Sequence, residues 1–83
     1  MTNLAGEYLG KMMTWKEMKE NFPDLWVFVT DYEVKGNIIR GVLIGVFTDD
    51  ERDKFYIECL HKGIDVERQR TTEVPGNFFL GGY

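Results

Sequence analysis

Three groups of side chains have the types and spacing that chemistry uses. Asp49, Asp50 and Asp53 stand close enough along the chain to hold a hard cation such as Mg²⁺, which takes carboxylate oxygens. Cys59 and His61 offer two zinc ligands where a structural site needs four, and the sequence holds no other cysteine or histidine. Arg40, Arg68 and Arg70 carry guanidinium groups, which grip carboxylate or phosphate with paired hydrogen bonds. The chain contains no serine, so the commonest hydroxyl nucleophile is absent.

Each group also has a plainer account. The acidic run opens a helix, where negative charge complements the positive end of the helix dipole. It has no second ligand set, so no metal is assigned. Cys59 and His61 are two residues apart and leave a helix in different directions, which rules out a paired nucleophile and base; Cys59 reads as a small core residue. Arg68 and Arg70 share one face of a polar strand, with Glu67 and Glu73 as counter-charges. No phosphate-cradling glycine loop is present, and no cofactor is expected. The reading is of a protein that is not an enzyme.

Size and composition narrow the class. The 83 residues suffice for one domain and bury only about two thirds of the surface the unfolded chain exposes. A single cysteine allows no intrachain disulfide, which fits a reducing compartment. Without a covalent staple, self-association is one way for so short a chain to gain stability. The hydrophobic share of 43% belongs to a globular domain, and the net charge of −4 works against non-specific binding to nucleic acid or anionic membrane. No stretch approaches the roughly 18 apolar residues of a membrane span, and the first residues lack a signal peptide's layout. A soluble, cytoplasmic protein is expected.

The elements that position these groups follow from local signals. Thr14 and Glu17 have the spacing of a capping box, with Met13 and Met18 as the flanking staple. A helix over Trp15 to Phe22 presents Trp15, Met18 and Phe22 on one face and is stopped by Pro23. A strand over Leu25 to Glu33 starts with consecutive apolar residues, so both of its faces are covered there. Lys35-Gly36-Asn37 turns the chain into a second strand, Asn37 to Phe47, in which Gly41 and Gly45 fall on one face beside a closely packed helix. Thr48 and Glu51 form a second capping box, Phe55, Tyr56, Cys59 and Leu60 give the next helix its apolar face, and Gly63 closes it. A polar strand from Ile64 to about Val74 suits a sheet edge.

The predicted fold is therefore α+β in two layers: a three-stranded antiparallel sheet in the order 2-1-3, with two helices on one face and the sequence α-β-β-α-β. Residues 1–12 form a flexible arm or a short helical turn around Glu7, Tyr8 and Leu9, 13–76 the domain, and 77–83 an apolar tail that adds a strand, folds back on the core or meets a partner. The stretches Thr14-Trp15-Lys16-Glu17-Met18, Phe22-Pro23-Asp24-Leu25-Trp26-Val27, Asn37-Ile38-Ile39-Arg40-Gly41-Val42 and Thr48-Asp49-Asp50-Glu51 resemble a group of short prokaryotic proteins of unknown function. That resemblance spans about residues 13–63, implies the helix–strand pattern, and brings no activity with it.

The function expected is a small intracellular protein-interaction module, an adaptor, regulator or inhibitor that binds a partner or its own copy. Arg68 and Arg70 on the edge strand, with Phe78, Phe79 and Tyr83 of the tail, are its expected contacts. The alternative is a protein that binds or sequesters a small anion of nucleotide type through Arg40, Arg68 and Arg70, in a phage or defence setting. Nucleic acid would need a wider basic surface with exposed aromatic side chains beside it.

Overall fold

The structure, a computed structural model, describes residues 2–71. The expected tail contacts Phe78, Phe79 and Tyr83 lie outside the described residues. After a 3₁₀ turn at Gly6–Tyr8, the chain forms β1 (Met12–Thr14), α1 (Trp15–Asn21), β2 (Trp26–Lys35), β3 (Asn37–Phe47), α2 (Arg52–His61) and β4 (Glu67–Arg70). The strands make one antiparallel sheet in the order β1-β3-β2-β4.

α1 begins as its sequence dictates. The Thr14 hydroxyl accepts from the Glu17 amide at 3.2 Å and Glu17 Oε1 accepts from the Thr14 amide at 2.9 Å, a closed capping box. Trp15, Met18 and Phe22 turn inward and are buried. They meet Met13, Val27, Val29, Ile38, Leu43 and Val46 in the main apolar core.

The β2–β3 hairpin turns at Gly36, whose φ of 79° suits glycine, between the paired Lys35 and Asn37. It does not run flat. Its register shifts between Phe28 and Val29, between Thr30 and Glu33, and between Glu33 and Val34, and Asp31 takes a φ of 48° at the middle irregularity. Bulges of this kind bend a strand and tighten its twist. The effect is visible at Ile38, which pairs with Val34 near the turn, while Gln69 pairs with Val27 far along the same strand. In a straight hairpin those levels lie roughly 23 Å apart at strand rise. Here the Ile38 amide donates to Gln69 Oε1 at 3.0 Å, so the far half of the hairpin curls back over the core and Ile38 is fully buried.

Two expectations are corrected. The sheet has four strands, not three, because Met12–Thr14 pairs with Arg40–Val42 outside β3. The residues before it, expected as an arm or a short helical turn, contain the 3₁₀ turn and lie along the same strand: the Leu4 amide donates to Val46 O, the Gly10 amide to Leu43 O, and the Leu43 amide to Lys11 O. Asn3 behaves as a piece of backbone, its Oδ1 accepting from the Val46 amide and its Nδ2 donating to Ile44 O.

Nor do the helices share a face. Val27 and Val29 point to the core that holds α1, whereas Phe28, between them, meets Phe55 of α2 at 5.0 Å between ring centroids. Successive strand residues point to opposite faces, so α1 and α2 cover opposite sides of the sheet.

β4 ends at a buried hydroxyl. Thr71 donates its backbone N–H to Leu25 O, its Oγ1 accepts from the Leu25 amide at 3.1 Å, and its hydroxyl donates to Phe22 O, tying β4 to the loop after α1. Thr71→Val keeps the shape and removes the hydroxyl's hydrogen bonds to the Leu25 amide, Phe22 O and Leu25 O. Leaving those backbone groups buried and unpaired costs about 2 kcal/mol. Urea unfolding is expected to show that loss for Thr71→Val and most of it recovered in Thr71→Ser.

Candidate functional site: the outer edge of β4 and the flank of α2

The expected residues Arg68 and Arg70 stand on β4, opposite Phe28 and Trp26 of β2, on the face that α2 covers. α2 does not start with the Thr48–Glu51 capping box expected from its sequence. Thr48 O accepts from the Glu51 and Arg52 amides, Glu51 is the helix N-cap without a side-chain cap bond, and its carboxylate instead accepts from the Thr2 amide at 3.2 Å. That turn sets Asp49 and Asp53 above β4. The far end of α2 closes as expected on Gly63, at φ 71°, with the Gly63 amide donating to Leu60 O and the Ile64 amide to Cys59 O.

A layered cluster results. Arg68 Nη1 lies 3.1 Å from Asp53 Oδ1, and its guanidinium stacks over the Tyr56 ring at 4.0 Å. Arg70 Nη2 is 3.4 Å from Asp49 Oδ2. Arg52 lies over the Trp26 ring at 4.6 Å, and the Trp26 indole N–H donates to Asp49 Oδ1. Planar guanidinium groups stack on aromatic faces in this way. Asp49 and Asp53, two of the three acidic residues spaced for a hard cation, thus serve as counter-charges to arginines. Among the described residues, no group of His, Cys, Asp and Glu side chains gathers as a metal site.

Arg40 is elsewhere. It sits on β3 opposite Glu33, with which it forms a 2.8 Å ion pair. Arg40 thus shares no carboxylate with Arg68 and Arg70, which pair with Asp53 and Asp49, and no pocket is found among the described residues. Gly41 and Gly45, expected on one face, point to opposite faces: a Cβ on Gly41 would meet Val29, and one on Gly45 would meet Phe47 and Phe55.

Backbone polarity completes the site. The Thr71 amide donates to Leu25 O, and antiparallel pairs alternate between bonded and non-bonded. Val27–Gln69 and Val29–Glu67 are then the bonded pairs, and the peptide groups of Arg68 and Arg70 face away from β2. Among the described residues no strand pairs with that side. No family model, curated protein or solved structure matches the chain. Among the described residues no helix is long and apolar enough to cross a membrane.

Beside this edge α2 exposes Leu60, 54% accessible, with the exposed Ile64 just beyond the helix end. Leu60 follows Tyr56 by one turn and so lies on the same flank, towards β4. Sequence reading placed Leu60 in the core, because it fits the stripe of Phe55, Tyr56 and Cys59. Only the last of these is fully inside.

At the start of β4, Tyr32 Oη donates to Asp65 Oδ1 at 2.9 Å, and that bond holds the Tyr32 phenol above its ordinary pKa. Cys59 is 2% exposed beneath α2, and burial pushes its thiol pKa up. Being the one thiol of the chain, it reports on helix opening. Iodoacetamide at pH 8 is expected to react far more slowly with the folded protein than with the urea-unfolded chain. Phe55→Ala, which removes the ring that holds α2 to the sheet, is expected to speed labelling at least tenfold, the equivalent of about 1.4 kcal/mol.

Proposed function

We propose that this chain is a protein-interaction module of the adaptor, regulator or inhibitor kind, and that it engages its partner through the outer edge of β4 and the adjoining flank of α2. The observation that carries the reading is the coincidence of two surfaces that the described residues leave open. The Arg68 and Arg70 peptide groups point outward along an edge strand, and Leu60 and Ile64 expose apolar surface next to it. An edge strand offers main-chain hydrogen bonds to an incoming segment, and a neighbouring apolar strip supplies the desolvation that backbone pairing alone does not. The core is already filled without these residues, so packing within the described fold does not account for their exposure.

Arg68→Pro tests the reading. Proline removes an outward-facing N–H and spares the bonds to β2, a position where edge strands tolerate it. The full chain and the variant are compared by chemical crosslinking and quantitative affinity capture, with far-ultraviolet circular dichroism to confirm an unchanged fold. The expected result is loss of the captured partner, at least tenfold, in the variant. The same partner retained at the same affinity by a folded Arg68→Pro protein overturns the reading.

A further inference from the structure

Resting on that reading, we infer that the β4 edge takes an extended acidic segment of another protein, added antiparallel, in which two alternate residues are carboxylates and the next alternate one is apolar.

The direction of α2 sets this pattern. Asp49 reaches Arg70, and Asp53 and Tyr56 reach Arg68, so α2 runs antiparallel to β4 and its later residue Leu60 stands beyond Arg68, towards Val66. A strand laid antiparallel along the open edge would meet, on the α2 side, Arg70 first, Arg68 second and the Leu60 flank third. Side chains directly opposite across two strands approach to about 5 Å, close enough for opposite charges to stabilise and like charges to repel. Three guanidinium groups, of Arg52, Arg68 and Arg70, share the carboxylates of Asp49 and Asp53, and the side chains of Arg68 and Arg70 remain 33% and 42% exposed. The aspartates fix the arginines in place, and each guanidinium has donors to spare for a second carboxylate.

The same geometry disfavours a second copy of the chain. A two-fold antiparallel pairing centred on β4 sets Arg68 of one copy opposite Arg70 of the other, and does so twice. Like charges directly opposite destabilise a ladder. A foreign strand with carboxylates at those positions replaces that repulsion with attraction.

The probe is the capped peptide acetyl-Thr-Glu-Thr-Glu-Thr-Leu-Thr-amide, titrated into the full chain and followed by amide chemical shifts and hydrogen exchange. Binding is expected to protect the Arg68 and Arg70 amides. A peptide with lysine for both glutamates is expected to bind at least tenfold more weakly. So is one N-methylated at both glutamates, since those N–H groups face β4. Arg68→Glu combined with Arg70→Glu is expected to reverse the charge preference. Because the N-methylated peptide needs no change to the protein, it keeps the test valid if that double variant fails to fold.

Equal binding of the glutamate and lysine peptides, or undiminished binding of the N-methylated one, overturns the inference. Absence of binding does the same. Arg68 and Arg70 amides already protected in the chain alone would also overturn it. That result assigns the edge to residues 72–83 or to a second copy, which light scattering separates. If the peptides fail while Arg68→Pro still abolishes capture, the acidic-strand inference falls and the interaction reading stands.

Discussion

Phe28→Ala is expected to lower the unfolding free energy by about 3–5 kcal/mol, the range for emptying a buried phenylalanine site. Phe28 is completely buried in the central strand β2 and meets Phe47 edge-on at 5.8 Å and Phe55 at 5.0 Å. Phe47 and Phe55 in turn lie 4.5 Å apart. This trio is the bond between the sheet and α2, separate from the larger core on the other face. The surrounding atoms belong to rings and to strand backbone, which have little freedom to collapse into the space. Domains of this size hold only about 5–15 kcal/mol in reserve. Equilibrium urea denaturation is expected to show a midpoint moved to much lower urea. Cys59 labelling should accelerate in parallel, because α2 loses its anchor. An unchanged midpoint would mean that the three rings do not hold this face together.

Gly41→Val is the second large effect, about 3 kcal/mol, the upper end for forcing extra carbon into a packed site. A Cβ on Gly41 would lie 2.7 Å from the Val29 Cβ and 3.2 Å from the Tyr32 Cβ. Both neighbours are fixed directly to the backbone of β2, so neither moves away by a change of rotamer. The closeness arises where Asp31 and Tyr32 together oppose the single residue Gly41, at the bulge that curls the hairpin. Relief would require flattening that bend and withdrawing Ile38 from Gln69. The readout is thermal unfolding together with the exchange rate of the Ile38 amide, which is expected to rise well before global unfolding. Gly41→Ala is expected to show the same pattern at smaller size.

How much of this was legible depends on how local each signal is. The Thr14–Glu17 cap, the turn at Gly36, the bounds of β3 and the Gly63 stop all come from residues within a few positions of one another, and the chain carries them openly. β1 was not legible. Met12–Thr14 shows no alternation of its own, and its partners Arg40–Val42 are far along the sequence. The placement of the two helices failed for a different reason. The apolar run Leu25–Val29 signalled a strand covered on both faces, but the expected two-layer stacking put both helices on one. Bulges also break the simple parity of a strand, which is why Gly41 and Gly45, four residues apart, point to opposite faces. The Thr48–Glu51 pair matched a capping box in spacing alone, while the helix begins after Glu51.

The candidate site was half visible. Alternation alone places Arg68 and Arg70 on one face of β4. Their counter-charges were not visible, since Asp49 and Asp53 lie in a different element and Glu67 and Glu73 are nearer in sequence. Trp26 read as core because of its type. It is half-buried, lies beneath the Arg52 guanidinium and gives its N–H to Asp49, an arrangement with no periodic trace.

The docked residues 3–11 also bear on the chain's safety against fibril formation. The segment they cover, Val42-Leu43-Ile44-Gly45-Val46-Phe47, is uncharged, free of proline and rich in β-branched and aromatic residues, the composition of a steric zipper. Asn3, Leu4, Gly10 and Lys11 occupy hydrogen-bonding groups that the segment would otherwise offer to its own kind in another molecule. A protease cut at Lys11 would leave the charge and most of the core untouched and yet expose that template. Residues 3–11 thus shield a strand edge whose composition suits intermolecular pairing.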